Sequence, residues 1–334
     1  MEDRGDDLAR ALDVGERDGH ATLGYRSYDA ATLGRGPASA IETNGLTKDY
    51  GAGRGIFGLE LFVGRGEIFG YLGPNGAGKT TTLKLLMGLI HATRGSARIF
   101  GLDCDRQAVA VKRTVGYVPG ELPQFGGWRG SEIVAYAAGL RGDVDDAHVA
   151  ELATRLALDL GRKYREYSHG NKQKLALVLA FMHQPALLLL DEPTTGLDPL
   201  HQQVFYALVH EARDAGATVF ISSHVLSEIE HVCDRVGIVR SGRLVTVAAL
   251  DELAGIRAHR VEIEFAEEPP VDRLRAVPRL EQLTVHGRRV TGMLRGSFDP
   301  LMRAIEGHRV ARLVSREPTL EEVFLTYYQD TPAP

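Results

Sequence analysis

The 334-residue chain has only two cysteines, one tryptophan and no surplus of basic residues. Cys104 and Cys233 lack both Cys-x-x-Cys spacing and histidine partners, which excludes a disulfide framework and a cysteine-based metal site. They are predicted to be buried, reduced thiols. The formal net charge is -5, whereas binding to a phosphate backbone needs clustered lysine and arginine. The composition therefore argues against a general nucleic-acid-binding protein.

Long apolar runs are also lacking. The longest, 175–182 and 186–190, suit a buried helix and a buried strand, and both are far shorter than the roughly 20 residues of a membrane-spanning helix. The N-terminus, MEDRGDDLAR, has no apolar segment of the secretory-signal type. If the protein acts at a membrane, another chain is expected to supply the spanning part. Residues 1–38 show no sustained period and predict a flexible tail.

A phosphate-binding loop is predicted at Gly73–Thr81 (GPNGAGKTT), which fits the pattern Gly-x-x-x-x-Gly-Lys-[Ser/Thr]. A predicted strand at 67–72 precedes it, and apolar residues at helical spacing follow over 81–89. The backbone N–H groups of such a loop and the N-terminus of the following helix bind phosphate oxygens. Lys79 is expected to reach the terminal phosphates, and the Thr80 hydroxyl to ligate magnesium. The sequence therefore predicts a protein that binds a nucleoside triphosphate.

Two carboxylates follow a run of four leucines. Residues 187–190 predict a strand buried on both faces of a parallel sheet, and Asp191 and Glu192 come at its C-terminal end, where open α/β sheets bind ligands. Asp191 is predicted to hold magnesium, and Glu192 to polarise the attacking water. The alternative, a helix-capping Asp-Glu pair, is disfavoured because phosphate-loop enzymes place their magnesium-site carboxylate after such a strand.

Two aromatic side chains each have two interpretations. His224 directly follows a predicted strand at 216–223, and either reaches the terminal phosphate or is structural. Tyr50 lies about two dozen residues before the phosphate loop, and either stacks on an adenine ring or is a half-buried tyrosine at a strand end. The predicted nucleotide-binding residues are Tyr50, Gly73, Pro74, Asn75, Gly76, Ala77, Gly78, Lys79, Thr80 and Thr81.

The order of these motifs resembles the nucleotide-binding subunit of ATP-binding cassette (ABC) transporters over roughly Ile41 to Leu253. The phosphate loop alone would indicate only a superfamily, whereas the full set in this order is highly specific. The resemblance is carried by Tyr50, GPNGAGKTT, the signature segment Tyr167–Gln173, LLLLDEP, the loop Thr195-Gly196-Leu197-Asp198, and Ser223-His224.

The resemblance implies that two copies of the chain pair head to tail and sandwich ATP and Mg²⁺ between the phosphate loop of one and the signature of the other. In that arrangement Ser168, His169, Gly170 and Asn171 would act across the dimer, and Asp198 would be a dimer contact. Glu192 and His224 would be catalytic, and Thr80 and Asp191 would hold the metal. The family also implies a separate transmembrane permease subunit, and a location on the cytoplasmic face of the membrane.

This chain departs from the family pattern at two places. The signature usually reads Leu-Ser-Gly-Gly-Gln, but here it reads Tyr167-Ser168-His169-Gly170-Asn171, which keeps the serine and the second glycine. After the predicted strand at 114–118, the family normally has a glutamine that touches magnesium, and here Gly120 takes its place. Either water, Glu121 or Gln124 substitutes for it, or magnesium coordination is weaker.

Residues 256–334 predict a separate unit with the order β-α-β-β-α-β, a ferredoxin-like domain. Its final segment, 317–324, predicts a helix that opens with a capping box of Thr319 and Glu322, and resembles the C-terminal segments of ABC subunits that serve bacterial drug and antibiotic exporters. A dimer-stabilising appendage is favoured over a ligand-sensing domain. The predicted organisation is a tail at 1–38, an α/β phosphate-loop cassette at 39–255 with a mixed sheet and a helical subdomain at about 121–184, and the C-terminal α+β domain.

The predicted function is ATP hydrolysis that powers export of a drug, antibiotic or lipid-like molecule. One alternative is a soluble ABC ATPase that works on ribosomes or DNA. It is disfavoured because the chain has one phosphate loop, no sustained heptads and no cysteine cluster. The other alternative is a nucleotide-gated module with little turnover, which Gly120 favours and Glu192 disfavours.

Overall fold

The computed structural model describes residues 39–142, 144–250 and 258–316, and the chain divides into two units between Val247 and Ala248. The predicted domain boundary at 255/256 falls in 251–257, outside the described residues, and stays a prediction. The predicted tail at 1–38 and the capping box at 317–324 also lie outside them. No described helix is long and apolar enough to cross a membrane.

The first unit contains a four-stranded antiparallel sheet and a six-stranded sheet. The four-stranded sheet has the order β2-β1-β4-β5. The six-stranded sheet has the order β10-β9-β3-β8-β7-β6, and β3 pairs in parallel with β8 and β9, as β7 does with β6 and β8. The strands are β1 Ser39–Asp49, β2 Gly55–Gly64, β3 Ile68–Leu72, β4 Arg94–Ile99, β5 Leu102–Asp103, β6 Val115–Val118, β7 Leu187–Asp191, β8 Thr218–Ser223, β9 Arg235–Arg240 and β10 Arg243–Ala249.

Seven helices belong to the described part of this unit. They are α1 Lys79–Leu86, α2 Ala108–Thr114, α3 Gly130–Arg141, α4 Asp146–Arg155, α5 His169–Phe181, α6 Pro199–Asp214 and α7 Leu226–Val232, with a 3₁₀ turn at Tyr164–Glu166. One apolar core joins both sheets to α1 through residues such as Leu59, Phe69, Leu83 and Phe220. All five residues of β7 are buried, which confirms the buried strand that the leucine run predicts.

The second unit has the order β11 Ala258–Phe265, α8 Val271–Arg275, β12 Leu280–His286, β13 Arg289–Arg295, α9 Asp299–Ile305 and β14 Val310–Arg316. Its antiparallel sheet has the strand order β12-β13-β11-β14. Alternate residues of β11 (Val261, Ile263 and Phe265) pack on Leu274 and Leu301 of the two helices, because successive side chains of a strand point to opposite faces.

The strands predicted at 67–72, 114–118, 187–190 and 216–223 match β3, β6, β7 and β8 to within two residues. Helix α1 begins two residues earlier than the apolar spacing indicates, because the phosphate-loop residues Lys79 and Thr80 already form its first turn. Helix α5 ends at Phe181, ahead of Pro185, which has no N–H to continue the helix. Cys104 and Cys233 are free and buried, as predicted. Helices α2, α6 and α7 and strands β5, β9 and β10 were not anticipated.

Candidate functional site

A cavity of 540 Å³ opens where β3 ends and α1 begins. The predicted residues Tyr50, Asn75, Gly76, Gly78, Lys79, Thr80, Thr81 and Glu192 line it, together with Gly53, Arg54, Gly55 and Ser241. The predicted binding residues Gly73, Pro74 and Ala77 belong to the loop but do not line the cavity. Tyr50 is 49% exposed directly after β1, so its ring is available to a ligand.

The loop needs glycine at two of its fixed places. A Cβ at Gly73 would come within 2.3 Å of the Val239 carbonyl oxygen of β9, so this glycine permits a close backbone approach. Gly78 caps the N-terminus of α1 with φ 105°, a backbone conformation that is strained for residues with a side chain. Glycine at these two places allows the loop to lie at the N-terminus of α1, where N–H groups without helical partners and the helix dipole favour an anion.

Lys79, Glu192 and His224 form a connected group at the cavity. The buried Lys79 Nζ donates to the carbonyl oxygen of Gly73 at 2.6 Å, and lies 3.2 Å from Glu192 Oε1. Glu192 Oε2 lies 2.7 Å from His224 Nδ1. The carboxylate therefore joins a cation of the phosphate loop to the histidine that follows β8.

Glu192 has an unusual backbone conformation. Its φ is 50°, in the left-handed region that non-glycine residues rarely adopt, and its N–H donates to the Ser222 carbonyl oxygen at 3.1 Å. Such conformations persist where the surrounding structure holds them, and they cluster at functional sites. Parallel pairing of β7 with β8 keeps Asp191 beside Ser222, and Glu192 is the first residue beyond β7.

Asp191 and Thr80 fit a divalent cation. Asp191 is 1% exposed; its Oδ1 accepts a hydrogen bond from the Ser222 hydroxyl, whereas its Oδ2 has no hydrogen-bond partner. Oδ2 and Thr80 Oγ1 lie 2.7 Å and 3.6 Å from the point that a Cβ of Gly120 would occupy. One carboxylate and one hydroxyl suit Mg²⁺, which is bound by few protein oxygens and keeps substrate and water oxygens as further ligands.

The signature residues do not line this cavity. Ser168 caps the N-terminus of α5, where its Oγ accepts from the Asn171 N–H at 3.2 Å. A Cβ at Gly170 would lie 2.6 Å from the Gly196 carbonyl oxygen, and one at Gly196 would lie 2.4 Å from the His169 ring. The signature therefore packs against the loop that precedes α6.

Asp198 in that loop has roles within its own chain. Its Oδ1 accepts from the backbone N–H groups of Leu200 and His201, which caps the N-terminus of α6. Its Oδ2 lies 2.6 Å from His201 Nδ1. The hydrogen bonds from the backbone and side chain of His201 lower the pKa of Asp198. The exposed side chain is thus held in place by contacts within its own chain.

Several site residues were missed by sequence reasoning. Arg54 and Ser241 reach the cavity from β-strand connections that carry no motif. Glu228 of α7 accepts hydrogen bonds from the Thr194 hydroxyl and, at 2.6 Å, from the Ser223 hydroxyl. Its place four residues after His224, in the first turn of a helix, is a signal that could have pointed to it.

The chain is similar in sequence to known proteins. Residues 56–195 match the family described as ABC transporter. The chain is 34% identical over 303 residues to the bacitracin transport ATP-binding protein BcrA of Bacillus licheniformis, a match that covers 86% of this chain and 97% of the relative. It is 33% identical over 301 residues to the daunorubicin resistance ATP-binding protein DrrA3 of Streptomyces coeruleorubidus, covering 86% of this chain and 95% of that one.

A solved structure of an ATP-binding subunit of an ABC transporter matches with a TM-score of 0.60 and 30% identity, covering 64% of this chain and 92% of that one. The dimeric, post-hydrolysis cassette MJ0796 bound to ADP and Pi matches with a TM-score of 0.55 at 20% identity, over 63% of this chain and 98% of that one. This second likeness concerns the fold alone.

The fold, the phosphate loop and the full-length relatives define an ATP-binding cassette with mixed α/β sheets. The chain belongs to the ABC transporter family, as one of its ATP-binding, ATP-hydrolysing subunits.

Proposed function

We propose that this chain hydrolyses ATP to power the export of a drug or antibiotic through a separate membrane subunit. The observation that carries the proposal is Glu192, held at the cavity between Lys79 and His224. Relatives similar over more than four fifths of the chain are named for bacitracin transport and daunorubicin resistance. A membrane subunit on a separate chain agrees with the lack of any spanning helix among the described residues, and would bring this chain to the inner face of the membrane.

The proposed reaction is attack of water on the γ-phosphorus of ATP. The new P–O bond forms as the bond to the bridging oxygen of ADP breaks, which gives ADP and phosphate. Glu192 orients the water and accepts its proton, and His224 holds both Glu192 and a γ-phosphate oxygen. Lys79 leaves its contact with Glu192 for the β- and γ-phosphates, where it offsets their charge.

Magnesium is proposed as the metal, held by Thr80 and, directly or through water, by Asp191. It would neutralise phosphate charge that develops in the transition state. The buried, unpartnered Asp191 Oδ2 supports this assignment, because such an oxygen is costly to leave without a partner.

We further propose that a second copy completes the site. Ser168 is exposed at the N-terminus of α5, where its neighbouring N–H groups can bind a phosphate that belongs to another molecule. Asp198 and the signature then contact the partner. The β-α-β-β-α-β order and the β12-β13-β11-β14 sheet of the second unit support a ferredoxin-like domain, which we assign to stabilising the dimer.

The test is magnesium-dependent ATP hydrolysis by the purified full chain. Glu192→Gln is expected to lower turnover at least a hundredfold while ATP binding persists, and to trap an ATP-bound dimer visible by light scattering. Ser168→Ala should lower turnover with unchanged binding to the monomer. The control, Glu42→Gln, changes an exposed glutamate of β1 and should behave as wild type.

Two results separate the alternatives. If the wild type does not hydrolyse ATP alone, the assay is repeated with the membrane subunit present, and persistent inactivity would identify a module without turnover. Equal turnover by Glu192→Gln and wild type would refute the role given to Glu192.

A further inference from the structure

The peptide that follows Glu192 is held by a side chain of helix α5. The buried Gln173 donates from its Nε2 to the carbonyl oxygen of Pro193 at 2.9 Å. Pro193 is itself buried, and because proline has no N–H, this carbonyl oxygen is the only polar backbone group that it offers. A buried carbonyl oxygen without a donor is unfavourable. Gln173 therefore satisfies the polar group that comes directly after Glu192.

The backbone conformation of Glu192 needs such support, because it is disfavoured for two reasons. Its φ of 50° lies in the left-handed region, and the ring of a following proline favours an extended conformation for the residue before it. The N–H of Glu192 donates to the Ser222 carbonyl oxygen at 3.1 Å, and its own carbonyl oxygen accepts from the Thr195 N–H at 3.2 Å. Gln173 adds a contact from a third element, on the peptide that follows. Disfavoured conformations persist where the surrounding structure holds them in this way.

Helix α5 is a firm support for this contact. Gln173 is 3% exposed, and the helix continues into a buried apolar stretch that includes Leu175 and Leu177, so close packing opposes a shift of the helix. Near the start of the helix, a Cβ at Gly170 would lie 2.6 Å from the Gly196 carbonyl oxygen. Helix α5 therefore contacts the segment after Glu192 at two places.

A second glutamine provides a matched comparison. Gln202 donates from its Nε2 to the Leu197 carbonyl oxygen at 3.4 Å, in the same segment but farther along the chain from Glu192. This distance is longer than that of a well-formed hydrogen bond, and Gln202 is only half-buried. Methionine has a helix propensity close to that of glutamine and no N–H donor. Replacing either glutamine by methionine therefore removes one donor to this segment, near Glu192 or far from it.

We infer that Gln173 is a positioning residue for ATP hydrolysis. Its buried amide holds the Pro193 peptide, and thereby the backbone conformation in which the Glu192 carboxylate lies 3.2 Å from Lys79 Nζ and 2.7 Å from His224 Nδ1. The inference rests on the proposed role of Glu192. Because Gln173 does not line the cavity, it acts on the reaction through Glu192 and leaves the groups that bind ATP unchanged.

The experiment is a kinetic double-mutant cycle in the full chain, with Gln173→Met and Glu192→Gln made separately and together. Gln173→Met is expected to lower kcat about tenfold, less than the roughly hundredfold that a misplacement of 1 Å can cost, and to leave the dissociation constant of ATP unchanged. In the Glu192→Gln background the same change should lower the residual turnover by less than about twofold, because the effects of residues that act through one another are not additive. The control Gln202→Met should match the wild type.

An equal loss of turnover in both backgrounds would overturn the inference, and so would wild-type turnover by Gln173→Met. If Gln173→Met does not fold, the cycle is repeated with Gln173→Asn, which carries the amide on a side chain one methylene shorter and should give the same result. Full turnover by Glu192→Gln would refute the proposed role of Glu192, whatever Gln173→Met does. A slow Glu192→Gln beside a fully active Gln173→Met would refute only this inference.

Discussion

Glu228 is expected to hold in place the segments that follow β7 and β8. Its carboxylate accepts from the hydroxyl of Thr194, two residues after Glu192, and at 2.6 Å from that of Ser223, the neighbour of His224. Thr194 is 3% and Ser223 0% exposed. Glu228 is therefore expected to position Glu192 and His224, although it does not itself line the cavity.

The magnitude follows from what Glu228→Ala leaves behind. A hydrogen bond to a charged group contributes about 1.5–3 kcal/mol, and a buried hydroxyl without a partner is unfavourable. Ser223 Oγ retains its contacts with Val225, whose N–H donates to it at 2.9 Å, so we take the lower value for each bond. The free energy of unfolding should fall by about 3 kcal/mol. Glu228→Gln, which keeps one carbonyl oxygen, should lose about half as much.

Urea unfolding of a double-mutant cycle measures this effect. Thr194→Val and Ser223→Ala each remove one hydroxyl. Glu228→Ala should lower the free energy of unfolding less in either of these backgrounds than in the wild type, and the coupling energy of Glu228 with each hydroxyl should be about 1 kcal/mol. Turnover should fall in Glu228→Ala while the dissociation constant of ATP stays unchanged, because the phosphate loop is not altered. Additive effects across the cycle, or unchanged turnover, would refute the reasoning.

Two further outcomes follow from the packing and burial of other residues. Gly170→Ala should reduce turnover several-fold without unfolding the protein, because its Cβ would lie 2.6 Å from the Gly196 carbonyl oxygen. Gly139→Ala, at an open place within α3, should instead raise the free energy of unfolding by about 0.5–1 kcal/mol. ATPase assays and urea unfolding measure both effects, and equal turnover in the two variants would contradict the prediction for Gly170. Burial, with a smaller contribution from Arg141, lowers the pKa of His183 from 6.5 to about 4; the unfolded chain therefore binds the extra proton between these values, and stability present above pH 6.5 is lost as the pH falls towards 4. Urea midpoints at pH 7.5 and 5 should differ more in the wild type than in His183→Gln, and the same pH dependence in both would show that His183 is not responsible.

Sequence reasoning reached the phosphate loop and the two carboxylates because their chemistry is local. The glycines, Lys79 and Thr80 act within a few residues of one strand-to-helix turn, and the leucine run before Asp191 is a sufficient signal for a buried strand. Helix α2 and strand β5 were missed because they lie between motifs, whereas α7 was missed although it carries Glu228. The roles given to Ser168 and Asp198 across a dimer stay predictions.

The class of ligand and the strand that carries the acidic residues can be recognised in the sequence, because short-range spacing sets both. Which distant groups meet depends on how the strands pair. Parallel pairing of β7 with β8 brings Asp191 to Ser222 and Glu192 to His224, and β6 beside β7 brings Gly120 to Asp191. Register between strands far apart in the chain is fixed by packing of whole sheets. No local pattern in the sequence therefore shows that Gly120, Asp191 and Thr80 lie close together.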